Sequence, residues 1–147
     1  MLRRSAARRP QECGRDQCAV YGRIENGPRL FSRADFRRIV GVYQTQDIAA
    51  FAQGESGPAI RLDDLIEVVK PFPGTLYVNF EDRSGRRRLS HFLAEVQGLG
   101  WIEFRGDEEA DELDDRGAFR LVLPGIPGDD GRMDDLAWIE FADDPWT

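Results

Sequence analysis

Few side chains in this 147-residue chain could perform catalysis. His91 is the one histidine, and Ser90, which precedes it directly, is the nearest hydroxyl that it could activate. On a helix, neighbouring residues point in different directions, which would keep these two side chains apart. The sequence also lacks the glycine spacing of a phosphate-binding loop and the paired histidines of a metalloprotease helix. We therefore predict that the chain is not an enzyme and uses no cofactor.

Carboxylates and thiols are the other groups that could carry chemistry, as metal ligands. Residues 106–117 contain seven acidic residues, but the acidic run over 107–115 lacks the glycine and the ligand spacing of a calcium loop. Cys13 and Cys18 are two thiols, whereas a structural zinc site needs four ligands. The sequence therefore predicts no metal site and a solvent-exposed acidic loop over 106–117.

A basic cluster in residues 83–91 has the chemistry of a DNA contact. Arginine forms bidentate hydrogen bonds with guanine edges and pairs with phosphate, and a helix N-terminus attracts phosphate as well. We predict that this cluster would lie at the start of a helix. The candidate DNA-binding residues are Arg83, Arg86, Arg87, Arg88, Ser90 and His91.

Apolar spacing predicts the elements that would position this cluster. Apolar residues recur at i, i+3, i+4 and i+7 in Leu89, Phe92, Leu93 and Val96, which predicts a helix over 86–97 with these four side chains in the core. Alternating patterns predict strands over 75–80, 101–105, 118–123 and 136–141. Earlier in the chain, a capping box of Ser32 and Asp35 opens a helix, and a second helix covers 63–70.

The order of a basic helix followed by a two-stranded ribbon resembles winged helix-turn-helix domains over residues 33–123. The resemblance implies that 86–97 is the recognition helix, that 63–70 is the helix before it, and that 101–123 is the wing. It implies an α+β fold in which a winged-helix-like core of three or four helices packs on a small antiparallel sheet of three to four strands. The predicted organisation is a flexible basic arm over 1–30 and a single domain over 31–147.

The resemblance also implies a DNA-binding regulatory protein, but the charge of the chain leaves an alternative open. The formal net charge is −7, although residues 1–29 contain seven arginines against three acidic residues. An acidic body repels phosphate, so the alternative function is an acidic protein–protein interaction module that binds a basic partner, such as an inhibitor, an immunity-type protein or a complex subunit.

Three predicted strands share one pattern, which supplies the candidate surface for that alternative. Residues 77–80, 101–104 and 138–141 each consist of an aromatic, a β-branched, a polar and a phenylalanine residue. Alternation places the β-branched residue and the phenylalanine on one face, predicted to be the core, and the first aromatic on the other face. That other face is either a binding surface or covered by other parts of the chain. The candidate protein-binding residues are Tyr77, Trp101, Trp138, Asp107, Glu108 and Glu109.

No apolar segment reaches the length needed to span a membrane, so no membrane contact is predicted. A cytoplasmic protein is the expectation. The sequence does not fix the oligomeric state, and a homodimer is one option.

Overall fold

The computed structural model describes residues 6–41, 46–50, 57–104 and 116–145. Within these ranges the chain forms ten strands, three α-helices and two short 3-10 helices. The helices are α1 (Arg33–Gly41), α2 (Leu62–Val69) and α3 (Leu93–Val96), and the 3-10 helices are Ile48–Ala50 and Gly128–Gly131. The strands are β1 (Gln17–Gly22), β2 (Arg29–Ser32), β3 (Gln46–Asp47), β4 (Pro58–Arg61), β5 (Tyr77–Asp82), β6 (Arg88–Phe92), β7 (Trp101–Phe104), β8 (Phe119–Val122), β9 (Arg132–Met133) and β10 (Leu136–Ala142).

The described strands form two five-stranded sheets. The first sheet has the order β2-β1-β10-β5-β6, and the second has the order β3-β4-β7-β8-β9. The pairing of β1 with β10 is parallel, while the other described pairs are antiparallel. The last strand of the chain therefore lies between the first hairpin and the β5–β6 hairpin, and it joins the two ends of the sequence in one sheet.

A strand pair followed directly by a helix occurs three times, as β1-β2-α1, β3-β4-α2 and β5-β6-α3. In each helix the third residue is acidic and the fourth is a fully buried apolar residue: Phe36, Leu65 and Val96. The acidic residue suits the positive end of the helix dipole. In α1 it also forms the predicted capping box, in which Ser32 N–H donates to Asp35 Oδ2 at 2.9 Å and Asp35 N–H donates to Ser32 Oγ at 3.1 Å.

The main apolar cluster of the core contains side chains from both sheets and all three helices, and two smaller clusters lie beside it. The predicted core residues of the repeated strand pattern are in it: Val78, Phe80, Ile102, Phe104, Ile139 and Phe141. All six are at most 1% exposed, so the prediction of which strand face is buried is confirmed. Burying a side chain of this size stabilises the fold by about 1.5–3 kcal/mol.

The predicted winged-helix fold class is wrong, because the described chain is mostly sheet with three short helices. The proposed recognition helix over 86–97 is instead a hairpin loop, strand β6 and the single turn α3. Gly85, with φ +76°, turns the chain back so that β6 pairs with β5 from Glu81↔Arg88 to Tyr77↔Phe92. The spacing of Leu89, Phe92, Leu93 and Val96 looks helical because the last apolar residues of β6 are followed directly by the first apolar residues of α3.

Other predicted elements are confirmed. The helix predicted over 63–70 is α2, which ends at Lys70 in the left-handed conformation (φ 51°), directly before Pro71. The strands predicted over 75–80, 101–105, 118–123 and 136–141 correspond to β5, β7, β8 and β10. β7 and β8 do pair as a ribbon, but β4 and β9 continue the sheet on either side, so they are not a free wing.

Part of the segment predicted as a flexible arm belongs to the folded core. Residues 17–32 contain β1 and β2, and Cys18, Ala19 and Val20 are fully buried. Small residues on both faces of β1 concealed the contrast between buried and exposed positions that identifies a strand. Residues 6–16 lie against the first sheet, where Ala7 exchanges two backbone hydrogen bonds with Gly22.

Within the described ranges, no helix has the length and apolar character to cross a membrane.

Candidate protein-binding face

The outer face of the first sheet, opposite the core, carries the aromatic and acidic side chains. Side chains on neighbouring strands form rows across this face. Trp138 lies between Ala19 and Glu81 in one row, and Glu140 lies between Tyr21 and Asn79 in the next. β6 adds its own side chains to these rows, because Arg88 is opposite Glu81 and Ser90 is opposite Asn79. The face thus combines rings, carboxylates and hydrogen-bonding groups, which is a composition typical of recognition surfaces.

An arginine from the N-terminal segment occupies one site on this face. The guanidinium carbon of Arg9 lies 3.9 Å from the centroid of the Trp138 ring, and Arg9 Nη1 is 2.7 Å from Glu81 Oε2. The other carboxylate oxygen of Glu81 is 3.0 Å from Arg88 Nε. We call the site formed by Ala19, Glu81 and Trp138 the arginine notch. It holds a guanidinium group by stacking and by an ion pair at once.

The Glu81 carboxylate is 2% exposed, whereas the Arg9 side chain is 40% exposed. A buried carboxylate is costly unless cations and hydrogen bonds compensate it. A cation beside Glu81 therefore stabilises the carboxylate in this part of the sheet. Without Arg9, Arg88 would be the one remaining ion-pair partner observed for Glu81 among the described residues.

Tyr21 closes the notch on the β1 side. Its ring meets the Trp138 ring edge-to-face, with the centroids 6.5 Å apart. Burial and the nearby Glu140 carboxylate raise the pKa of Tyr21 to about 12, although Arg9 acts in the opposite direction. The phenol thus stays protonated at neutral pH and can donate a hydrogen bond.

Asn79 occupies the centre of the face and is fully buried. Its Nδ2 donates to Glu140 Oε1 at 2.9 Å and to the Asp144 carbonyl at 3.1 Å, which fixes the C-terminal residues against the sheet. No described residue donates a hydrogen bond to Asn79 Oδ1. Buried amide oxygens normally have a donor, so this position is suited to a buried water molecule.

The end of the face near Tyr77 is apolar and open. The rings of Tyr77 and Phe92 stack with centroids 4.8 Å apart, and Phe92 is 54% exposed. Leu76, the preceding residue, is 55% exposed. We call these three residues the aromatic corner. Asp143 and Asp144 follow directly after Ala142, which is opposite Tyr77 in β10, so two carboxylates border the corner.

The six predicted DNA-binding residues lie on the β5–β6 hairpin, but several are bound to other parts of the chain. Arg83 contacts Asp135 and the carbonyls of Cys13, Gly14 and Gln17. The remaining five are placed as follows: Arg86 is exposed in the loop, Arg87 donates to the Asp129 carbonyl, Arg88 pairs with Glu81, Ser90 is partly buried on the outer face, and His91 Nε2 lies 3.2 Å from the Asp130 carbonyl.

The predicted protein-binding residues are divided between two sheets. Tyr77 and Trp138 share the outer face of the first sheet, where Trp138 is 8% exposed and lies under the guanidinium group of Arg9. Trp101 is 6% exposed and packs with Ile48, Ala59 and Val122 on the second sheet, so it is covered rather than available. Asp107, Glu108 and Glu109 lie outside the described residues, as does most of the acidic loop.

Arg9 and Glu81 were missed by the sequence analysis. Glu81 could have been found, because it continues the alternation of Tyr77 and Asn79 by one further step beyond the predicted strand end. Nothing local in the sequence distinguishes Arg9 from the neighbouring Arg8. In the described part of the chain, no group of three histidine, cysteine or acidic side chains could hold a metal ion.

The two cysteines should differ in reactivity. Burial raises the pKa of the Cys18 thiol far above its ordinary value, whereas Cys13 is partly exposed. Because the thiolate is the reactive form, we expect a thiol-specific disulfide reagent at neutral pH to label one thiol quickly in the native protein and the second only after unfolding. The Cys13→Ser variant should lose the fast phase. Two equally fast phases in the native protein would contradict this assignment.

Comparison of the chain with protein-family models, with curated proteins and with solved structures finds no match to any of them.

Proposed function

We propose that this chain is an acidic protein–protein interaction module that binds a basic protein partner through the outer face of the first sheet. The observation that carries the proposal is the aromatic corner: Phe92, which is half-exposed, stacks on the partly buried Tyr77 beside an exposed Leu76. Contiguous apolar side chains rimmed by polar groups are typical of protein interaction sites. Aromatic side chains are also the residues most enriched at the centres of such sites.

Charge favours a basic partner. The net charge of the chain is −7, and Asp144 follows Asp143, which is paired with Arg23, near the aromatic corner. The guanidinium groups of Arg83 and Arg88 are held by Asp135 and Glu81 of the same chain. Such pairing reduces the positive potential that a phosphate backbone would require at this hairpin. Complementary charge would steer a basic protein toward the same region.

Fluorescence anisotropy with three defined probes tests the class of partner. The probes are a peptide of alternating arginine and leucine, the same peptide with glutamate in place of arginine, and a random-sequence DNA duplex. We expect the full chain to bind the arginine–leucine peptide alone, and more weakly as the salt concentration rises. Binding of the duplex with a steep salt dependence would instead support a nucleic-acid-binding protein.

Phe92→Ser is expected to weaken binding of the arginine–leucine peptide by about tenfold, because truncating an interface aromatic typically costs more than 1 kcal/mol. The matched control is Leu30→Ser, which removes another exposed apolar side chain (42% exposed) on β2, the opposite edge strand of the same sheet. Leu30 lies opposite Ala19 at the far edge of the same face, so Leu30→Ser should weaken binding much less than Phe92→Ser. Equal losses in both variants, with native circular dichroism spectra, would show that the aromatic corner is not the contact.

A further inference from the structure

The arginine notch has the chemistry of a ligand site and is already occupied by an arginine. The Trp138 ring provides a stacking surface, and Glu81 provides a buried carboxylate oxygen 2.7 Å from the bound Arg9. Ala19, opposite Trp138 in the sheet, has only a methyl group beside the ring, and the Arg9 guanidinium group covers the ring, which is 8% exposed with Arg9 in place. Each element of the notch belongs to a sheet strand and is thus held rigidly.

The occupant, in contrast, comes from a segment that can detach. Residues 6–16 contribute only Ala7 and Cys13 to the apolar clusters, each as a partly buried member. Ala7 and the Arg83 contacts at Cys13 and Gly14 secure the two ends of the segment, and the intervening Arg9 side chain remains 40% exposed. A surface segment with so little apolar contact can open without unfolding of the core.

We propose that the arginine notch binds an arginine side chain of the basic protein partner, and that Arg9 occupies it until that partner displaces it. This inference rests on the proposed function and assigns its charged contact, whereas the aromatic corner supplies the apolar one. Tyr77 and Glu81 both project from β5 to the outer face, four residues apart, so one extended basic segment of about five residues could contact both.

Guanidinium is the expected ligand rather than ammonium. A planar guanidinium group can stack on an indole and donate to a carboxylate in the same orientation, whereas a lysine ammonium is a compact, strongly hydrated charge. With Arg9 in place the Glu81 carboxylate is 2% exposed, and Arg88 pairs with Oε1 alone, so departure of Arg9 would leave Oε2 without its cation. The notch is therefore prepared for a second arginine.

The test compares three full-length proteins: the unaltered chain, Arg9→Ala and Arg8→Ala. Arg8 is the matched control, since it is the adjacent, exposed arginine and its removal changes the net charge equally. The probes are the alternating arginine–leucine peptide and a lysine–leucine peptide of the same length. We expect Arg9→Ala to bind the arginine peptide on the order of tenfold more tightly, as follows if Arg9 fills the notch for about nine-tenths of the time. Arg8→Ala should show no gain, and the lysine peptide should gain much less.

The outcomes separate this inference from the proposed function. Equal binding of both peptides to all three proteins would overturn the notch as a guanidinium site while basic-partner binding remained. Absence of binding to every protein at low salt would overturn both. The unaltered chain could also prove to be a dimer that Arg9→Ala, but not Arg8→Ala, converts to a monomer. That result would overturn the inference, because the notch would then bind Arg9 of a second copy and not an arginine of another protein. Adding Glu81→Gln to Arg9→Ala is expected to remove the gain.

Discussion

Phe36→Ala is expected to lower the free energy of unfolding by about 4 kcal/mol, the typical cost of truncating a fully buried phenylalanine. Phe36 is the fourth residue of α1 and is 0% exposed. Its ring lies 5.0 Å from that of Phe119, 5.6 Å from that of Phe31 and 6.0 Å from that of Phe104, measured between centroids. These rings come from both sheets, so the truncation would open a cavity where the helix joins them. Urea unfolding followed by circular dichroism would measure the loss.

Phe92→Ala is the matched control and should change the free energy of unfolding by less than about 1 kcal/mol, because Phe92 is 54% exposed and lies on an edge strand. If Phe36→Ala fails to fold, Phe36→Leu keeps most of the volume and should cost about 1 kcal/mol. Equal effects of alanine at Phe36 and Phe92 would mean that the core is not centred on α1.

Placing Phe92 in the core was an error of local pattern reading. The helical spacing from Leu89 to Val96 is real, but Leu89 and Phe92 belong to β6, and only Leu93 and Val96 are buried on α3. The pairing of β6 with β5 decides the outcome, since a strand is stabilised by its neighbour in the sheet and not by its own sequence alone. The strand over 136–141 and the helix over 63–70 were predicted correctly, because each of these apolar patterns lies within a single element.

The candidate site was less predictable than the fold. Trp138 and Tyr77 were identified by the strand pattern, and Glu81 lay one step of alternation beyond it. The contact of Arg9 with Glu81 joins residues far apart in the sequence, and its formation depends on β10 entering the sheet beside β1. No periodicity in residues 1–16 encodes that contact, because the segment is held by individual hydrogen bonds and ion pairs at a surface rather than by a repeating apolar face.

Arg83→Ala is expected to lower the free energy of unfolding by about 3 kcal/mol. Its guanidinium group donates to Asp135 Oδ1 at 3.1 Å, to the Cys13 and Gln17 carbonyls at 3.0 and 2.9 Å, and to the Gly14 carbonyl. Hydrogen bonds to a charged group contribute about 1.5–3 kcal/mol each in isolation, and the partly exposed position (18% for Arg83, 34% for Asp135) reduces the sum. One side chain thus links the β5–β6 hairpin, the turn before β10 and residues 13–17.

Arg86→Ala in the same hairpin is the control, and its exposed side chain should contribute less than about 0.5 kcal/mol. Arg83→Lys should recover less than half of the loss, because one ammonium group cannot reach acceptors spread in several directions. Loss of these contacts should also release residues 6–16, so trypsin is expected to cleave after Arg8 and Arg15 faster in Arg83→Ala than in the unaltered chain. Unchanged stability and unchanged cleavage would mean that Arg83 is free to meet an external ligand, which would return it to the nucleic-acid interpretation.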